Sequence, residues 1–141
     1  MKNKSLYLFL GFFLVTFSFT AQFTLTVKVI GIENTKGQVE IALYDDEKLF
    51  PEVGKTLHME RVKPEGKEVI YEFKNLKAGE YAIATFHDEN DDKVCNTNLI
   101  GVPTEAFAFS KDFRPFLSAP VFEDCSFKLS QNMEITIEMV Y

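Results

Sequence analysis

The chain has 141 residues, with Lys+Arg 15 against Asp+Glu 21, a formal net charge of −6, and 15 Phe but no Trp. An acidic surface repels phosphate backbones, which excludes nucleic acid as the expected partner. The length suits one domain with its own core rather than two.

Residues 1–21 read as a secretory signal peptide. Lys2 and Lys4 precede an almost wholly apolar run from Leu6 to Phe19, and small residues close it at Ser18 to Ala21. The run is shorter than the ~20 residues of a membrane-spanning helix. No Cys lies near the cleavage point, which argues against a lipid-modified N-terminus. Without Lys2 and Lys4 the mature chain carries 13 basic and 21 acidic residues, a charge of −8. The expected product is an exported, monomeric domain spanning residues 22–141, with no membrane span, in the periplasm or outside the cell.

Period-2 alternation then dominates. In "FTLTVKV" Phe23, Leu25, Val27 and Val29 share one face, and in "QVEIALY" Val39, Ile41 and Leu43 do, with Gln38 and Glu40 outward. Between them "GIENTKG" carries Asn34 and Gly37, as a hairpin turn would. "YDDEKLFPEVGK", Tyr44 to Lys55, is expected to form one helical turn. "KEVIYEFK" alternates Val69, Tyr71 and Phe73 against Glu68, Glu72 and Lys74. In "NLKAGEY", Leu76, Gly79 and Tyr81 have tyrosine-corner spacing, a structural role. "EYAIATFH" is apolar on both faces, as a central strand is. "SFKLS" and "MEITIEMVY" close the chain, with Met133, Ile135, Ile137, Met139 and Tyr141 on one face. The sum is an all-β fold: one antiparallel β-sandwich of about seven strands.

From Asp88 to about Glu123 the rhythm stops. Phe107, Phe109, Phe113, Phe116 and Phe122 make this excursion too aromatic for disorder, so it packs onto something. Its first part is polar. Counted from Asp88, the residues Asp88, Asn90, Asp92 and Asn96 fall at positions 1, 3, 5 and 9, with a backbone carbonyl at Val94 in position 7. This resembles the opening of an EF-hand calcium loop, in which alternate oxygens surround a hard cation. Lys93, however, stands where that loop needs Gly, and Leu99 where it needs a bidentate acid. The competing reading is a solvated loop whose Asp and Asn side chains cap turns.

His87 and Asp88 point to opposite faces of a continuing strand. His58, His87, Cys95 and Cys125 lack the short paired spacings of zinc sites. No G-x-S-x-G elbow is present. Cys95 and Cys125 fit either a disulfide, in an oxidising compartment, or two small buried residues.

The runs "FKNLKAGEYAIATFHDENDD", "TNLIGVPTEAFAFS" and "PVFEDCSFKL" resemble, in that order, the bacterial DUF2141 family of exported domains. His87, Asp88, Glu89, Asn90, Thr97, Asn98, Gly101, Pro103, Glu105, Phe109 and Ser110 match its pattern. Lys93 replaces a Gly, Asn96 an Asp, and Ala106 and Ala108 replace Gly; Cys95 and Cys125 take positions of Leu and Ala. The resemblance implies an Ig-like or transthyretin-like sandwich. The matching residues bracket "IGVPTEAFAFS", so the loop is expected to bring Glu105 towards His87 and Asp88.

The expected function is a non-enzymatic exported binding module. Its ligand would be calcium on Asp88, Asn90, Asp92 and Asn96, at ~0.1–1 mM, or a small polar molecule held by His87, Asn98, Glu105, Phe107 and Phe109. The alternative is a structural protein bound to an envelope component, with a purely architectural acidic loop. Last comes a hydrolase using His87 and Glu105.

Overall fold

The computed structural model describes residues 21–116 and 118–141. The proposed leader therefore lies, apart from Ala21, outside the described residues.

Among the described residues eight strands form two packed sheets: β1 Gln22–Ile30, β2 Gln38–Tyr44, β3 His58–Val62, β4 Glu68–Lys77, β5 Gly79–Asp88, β6 Phe107–Phe109, β7 Phe127–Leu129 and β8 Met133–Glu138. One sheet has the order β4-β1-β8, the other β3-β2-β5-β6, with β7 also on β5. β6 pairs with Ala84–Phe86 and β7 with Gly79–Tyr81, so they follow each other along one edge of β5. One turn of α-helix, α1, spans Phe122–Cys125, and a 3-10 turn spans Ser110–Asp112.

The alternation explains the core. Leu25, Val27 and Val29 of β1 and Val39, Ile41 and Leu43 of β2 are all fully buried between the sheets. Each such side chain contributes about 1.5–3 kcal/mol of transfer free energy. Tyr81 donates its hydroxyl to the Lys77 carbonyl at 2.9 Å, which makes the expected corner between β4 and β5. β5 is buried on both faces, as a central strand should be.

Two expected connections need correction. β1 and β2 do not form a hairpin, because β1 pairs with β4 and β8 while β2 pairs with β3 and β5. The turn chemistry of Asn34 and Gly37 instead serves a crossover between sheets. Gly37 has φ +54, and a Cβ there would stand 1.8 Å from the Asp88 carbonyl oxygen. Asp46–Lys55 forms successive turns, not a helical one, with Leu49 N bonded to Asp46 O and Glu52 N to Leu49 O. The sandwich is mainly antiparallel, as expected, although β1 and β8 run parallel. Of the two readings of the cysteines the structure has free thiols.

The excursion does pack onto something. Tyr44, Ala42 and Ala82, on the outer face of the five-stranded sheet, form a second core with Phe50, Phe122 and Cys125, joined by Phe109 and Phe113. Phe50 sets its edge against Tyr44 at 5.2 Å and against Phe122 at 5.9 Å. Buried Ser110 fastens this layer down: its Oγ donates to the Cys125 carbonyl at 2.6 Å and accepts from Ile83 N at 2.9 Å. Glu40, expected in solvent, is only 3% exposed and is paired with Arg61.

Candidate functional site

The end of β5 carries the polar residues, and the chain does turn there. Asp88 is 1% exposed, and both its carboxylate oxygens accept backbone N–H groups, Oδ1 from Asp92 at 3.2 Å and Oδ2 from Lys93 at 2.8 Å. Asn90 Oδ1 accepts from Asp92 N at 2.9 Å, and Asp92 Oδ1 from Val94 N at 2.9 Å. Asp92 Oδ2 gathers the side-chain amides of Asn90 at 3.0 Å and Asn96 at 2.9 Å. The bond from Asn96, aided by Val94 N–H and Asn90, holds the Asp92 carboxyl below its ordinary value, against a smaller effect of burial. Lys93 has φ +67, the left-handed conformation for which Gly is the natural residue. Among the described residues no group of three or more His, Cys, Asp or Glu is placed to hold a metal.

His87 is fully buried. Its Nε2 lies 2.8 Å from the Lys36 carbonyl and its Nδ1 2.8 Å from the Tyr141 hydroxyl. A carbonyl only accepts, so Nε2 carries the proton and the Tyr141 hydroxyl donates to Nδ1. That hydroxyl also accepts from Glu33 N at 3.0 Å. The imidazole thus ties β5, the β1–β2 crossover and Tyr141 together, and neither nitrogen is left for chemistry with Glu105.

Glu105 and Asn98 organise the next segment. Glu105 Oε2 accepts from Asn96 N at 3.0 Å. Residues 96–104 fold into a small hairpin, with Thr97 bridged to Pro103 and Thr104 N bonded to Asn96 O. Asn98 Oδ1 accepts from Ile100 N and Val102 N, both at 3.0 Å, and so shapes the tip. The tip holds Leu99, Ile100 and Val102 out in solvent. Glu105 makes no hydrogen bond to His87 or Asp88, whose partners are those given above. The backbone joins the two stretches through His87 N to Ala106 O at 2.8 Å.

Phe107 and Phe109 lead elsewhere. Cross-strand register places Phe107 beside Phe86 and Phe109 beside Ala84, on the outer face of the sheet. On the other side of β5, Ala84 lies opposite Ala42 and Phe86 opposite Glu40. Two alanines side by side among Tyr44, Phe86, Phe107 and Phe109 leave a trough. The result is a groove of about 540 Å³, within the range of small-molecule sites. Its walls come from Pro51 and Val53, from Cys95 and Ile100–Pro103, and from Pro115, Phe116 and Ser118–Pro120. Ile100 is 84% and Phe116 92% exposed, so large apolar side chains stand at the mouth.

Polar atoms are few inside. The Tyr44 hydroxyl donates to Glu52 O at 3.1 Å, while the Thr85 side chain alternates to the inner face, between Ile41 and Ala108. Burial, with Glu40 and Glu52 nearby, pushes the Tyr44 phenol up to about 12. Burial first, then Glu105 and Glu40, pushes the Cys95 thiol up to about 11, so it stays protonated and is no nucleophile at neutral pH. Of the expected ligand-binding residues only Phe107 and Phe109 line this groove; Asn98, Glu105 and His87 do not.

Residues 27–137 match the family model described as "Uncharacterized protein conserved in bacteria (DUF2141)". The chain belongs to the DUF2141 family. No curated protein and no solved structure matches it. Several residues of the DUF2141 pattern quoted above have architectural tasks in this chain: His87 and Asp88 anchor the end of β5, Asn98 and Glu105 shape the hairpin, and Ser110 pins the second core. Ala42, Ala84 and Glu40 escaped the sequence reading. Their signal was small residues at Ala42 and Ala84 within otherwise bulky strands, which gains meaning only once register sets them side by side.

Proposed function

We propose that the protein is a non-enzymatic, exported binding module whose site is the groove on the outer face of the five-stranded sheet. Its ligand is a small molecule with an apolar body, and the acidic loop serves as a frame. The observation that carries this is the paired Ala42 and Ala84 under a ring of aromatic side chains, walled by loops that hold exposed aliphatics over the opening. Exposed apolar surface of this kind costs solubility and commonly marks a binding surface. Export rests on the leader-like pattern of residues 1–21. The neutral probe N-phenyl-1-naphthylamine tests the reading through its fluorescence gain in an apolar site. Purified protein should bind it saturably, and Ala84→Leu, which fills the trough, should abolish the signal while the fold persists by circular dichroism. Undiminished binding by that variant rejects the groove.

A second reading keeps calcium at the loop. Three oxygen-bearing side chains, Asn90, Asp92 and Asn96, meet at one point, and turning the Asn96 amide over would present its oxygen there. Calorimetric titration decides it: no heat and no rise in melting temperature at several millimolar calcium removes this reading.

A further inference from the structure

We propose that the groove selects a neutral amphipathic ligand that donates a hydrogen bond, of the long-chain alcohol or primary amide class, with its donor on Glu40 Oε1. This rests on the groove reading above. Glu40 lines the groove and is 3% exposed. Both bonds from Arg61, Nε at 2.9 Å and Nη2 at 2.6 Å, converge on the single oxygen Oε2. Among the described residues Oε1 accepts no hydrogen bond, and no fully buried side-chain N or O is without a partner. Oε1 therefore keeps contact with open space, and Glu40 borders that space in the groove.

The other polar side chain on the floor is spoken for, since the Tyr44 hydroxyl proton goes to the carbonyl of Glu52. What the floor offers is an acceptor, so the ligand must bring the donor.

Charge narrows the class further. Glu40 is the one charged residue among the described lining residues, and Arg61, its cross-strand neighbour, already balances it. A carboxylate head would meet Glu40, and an ammonium head would bring a third charge beside Arg61. A hydroxyl or amide N–H meets neither penalty, while the groove covers the hydrocarbon.

Competition against bound N-phenyl-1-naphthylamine at pH 7.5 tests this with decanol, decanamide and decanoate, which share one chain length. Decanol and decanamide should displace the probe, with decanoate weaker by about tenfold or more, since like charges brought together cost several kcal/mol. Glu40→Gln should raise decanoate to the level of decanol by leaving Arg61 unbalanced. Wild-type protein supplies the alcohol-to-carboxylate comparison even if that variant folds poorly. Equal displacement by decanoate and decanol overturns the head-group assignment and leaves the groove standing. Probe binding that survives Ala84→Leu overturns the groove itself.

Discussion

Replacing Asp88 with Ala strips two acceptors from the turn that starts the excursion. Hydrogen bonds to a charged group are each worth about 1.5–3 kcal/mol, but the loss here is not simply additive. Asp92 N keeps Asn90 Oδ1 as a partner at 2.9 Å. Lys93 N belongs to an exposed residue, so water can take over there. The variant also no longer has to bury a carboxylate. The net loss should be about 2 kcal/mol, or roughly 6–10 °C in melting temperature for a domain of this size. Asp88→Asn retains one acceptor and should lose about half as much. Urea unfolding, with excess EDTA and again with several millimolar calcium, measures both. The expected deficit is the same in the two buffers, because the lost partners are backbone amides. A deficit that vanishes in EDTA and appears only with calcium would refute the reasoning and make Asp88 a metal ligand.

Gly37→Ala should destabilise by about 3 kcal/mol or more, because its Cβ would stand 1.8 Å from the Asp88 carbonyl oxygen at φ +54; thermal melting shows it directly. Lys93→Gly should stabilise by about 0.5 kcal/mol, since relief of the left-handed conformation outweighs glycine's entropy cost, and the urea midpoint should rise. Burial lifts the Cys125 thiol from its ordinary 9.0 to about 12. The folded chain then keeps a proton the unfolded chain has lost, so stability falls as pH rises above 9, by about 1.4 kcal/mol per unit for this group. Cys125→Ala should lose less stability than wild type between pH 9 and 10, as measured by urea midpoints.

The sandwich was legible because its faces are written at period 2: Leu25, Val27 and Val29 against Val39, Ile41 and Leu43 needed no partner to be recognised. β3 was not legible, since His58 and Met59 are exposed at a sheet edge and show no alternation. β6 has three residues, too few for a period. The crossover at Asn34–Gly37 looked like a hairpin because turn residues state that the chain bends, not which sheet it enters. The polar loop left two readings open in the sequence, because the spacing that surrounds an ion also suits backbone amides. Glu40 was assigned to solvent by alternation alone, although the aromatic excursion foretold a layer that had to lie on some outer face.

The groove divides its labour between two kinds of structure. Its floor is laid across β2, β5 and β6, whose ladder is also tied to the chain just past β8 by the paired backbones of Phe107 and Val140. Its walls are connecting segments, and the hairpin at 96–104 draws its tip-shaping bonds from within itself. Substitutions along the rim can therefore reshape what the groove admits without loosening the sheet beneath. Selectivity and foldedness are free to drift separately on this scaffold.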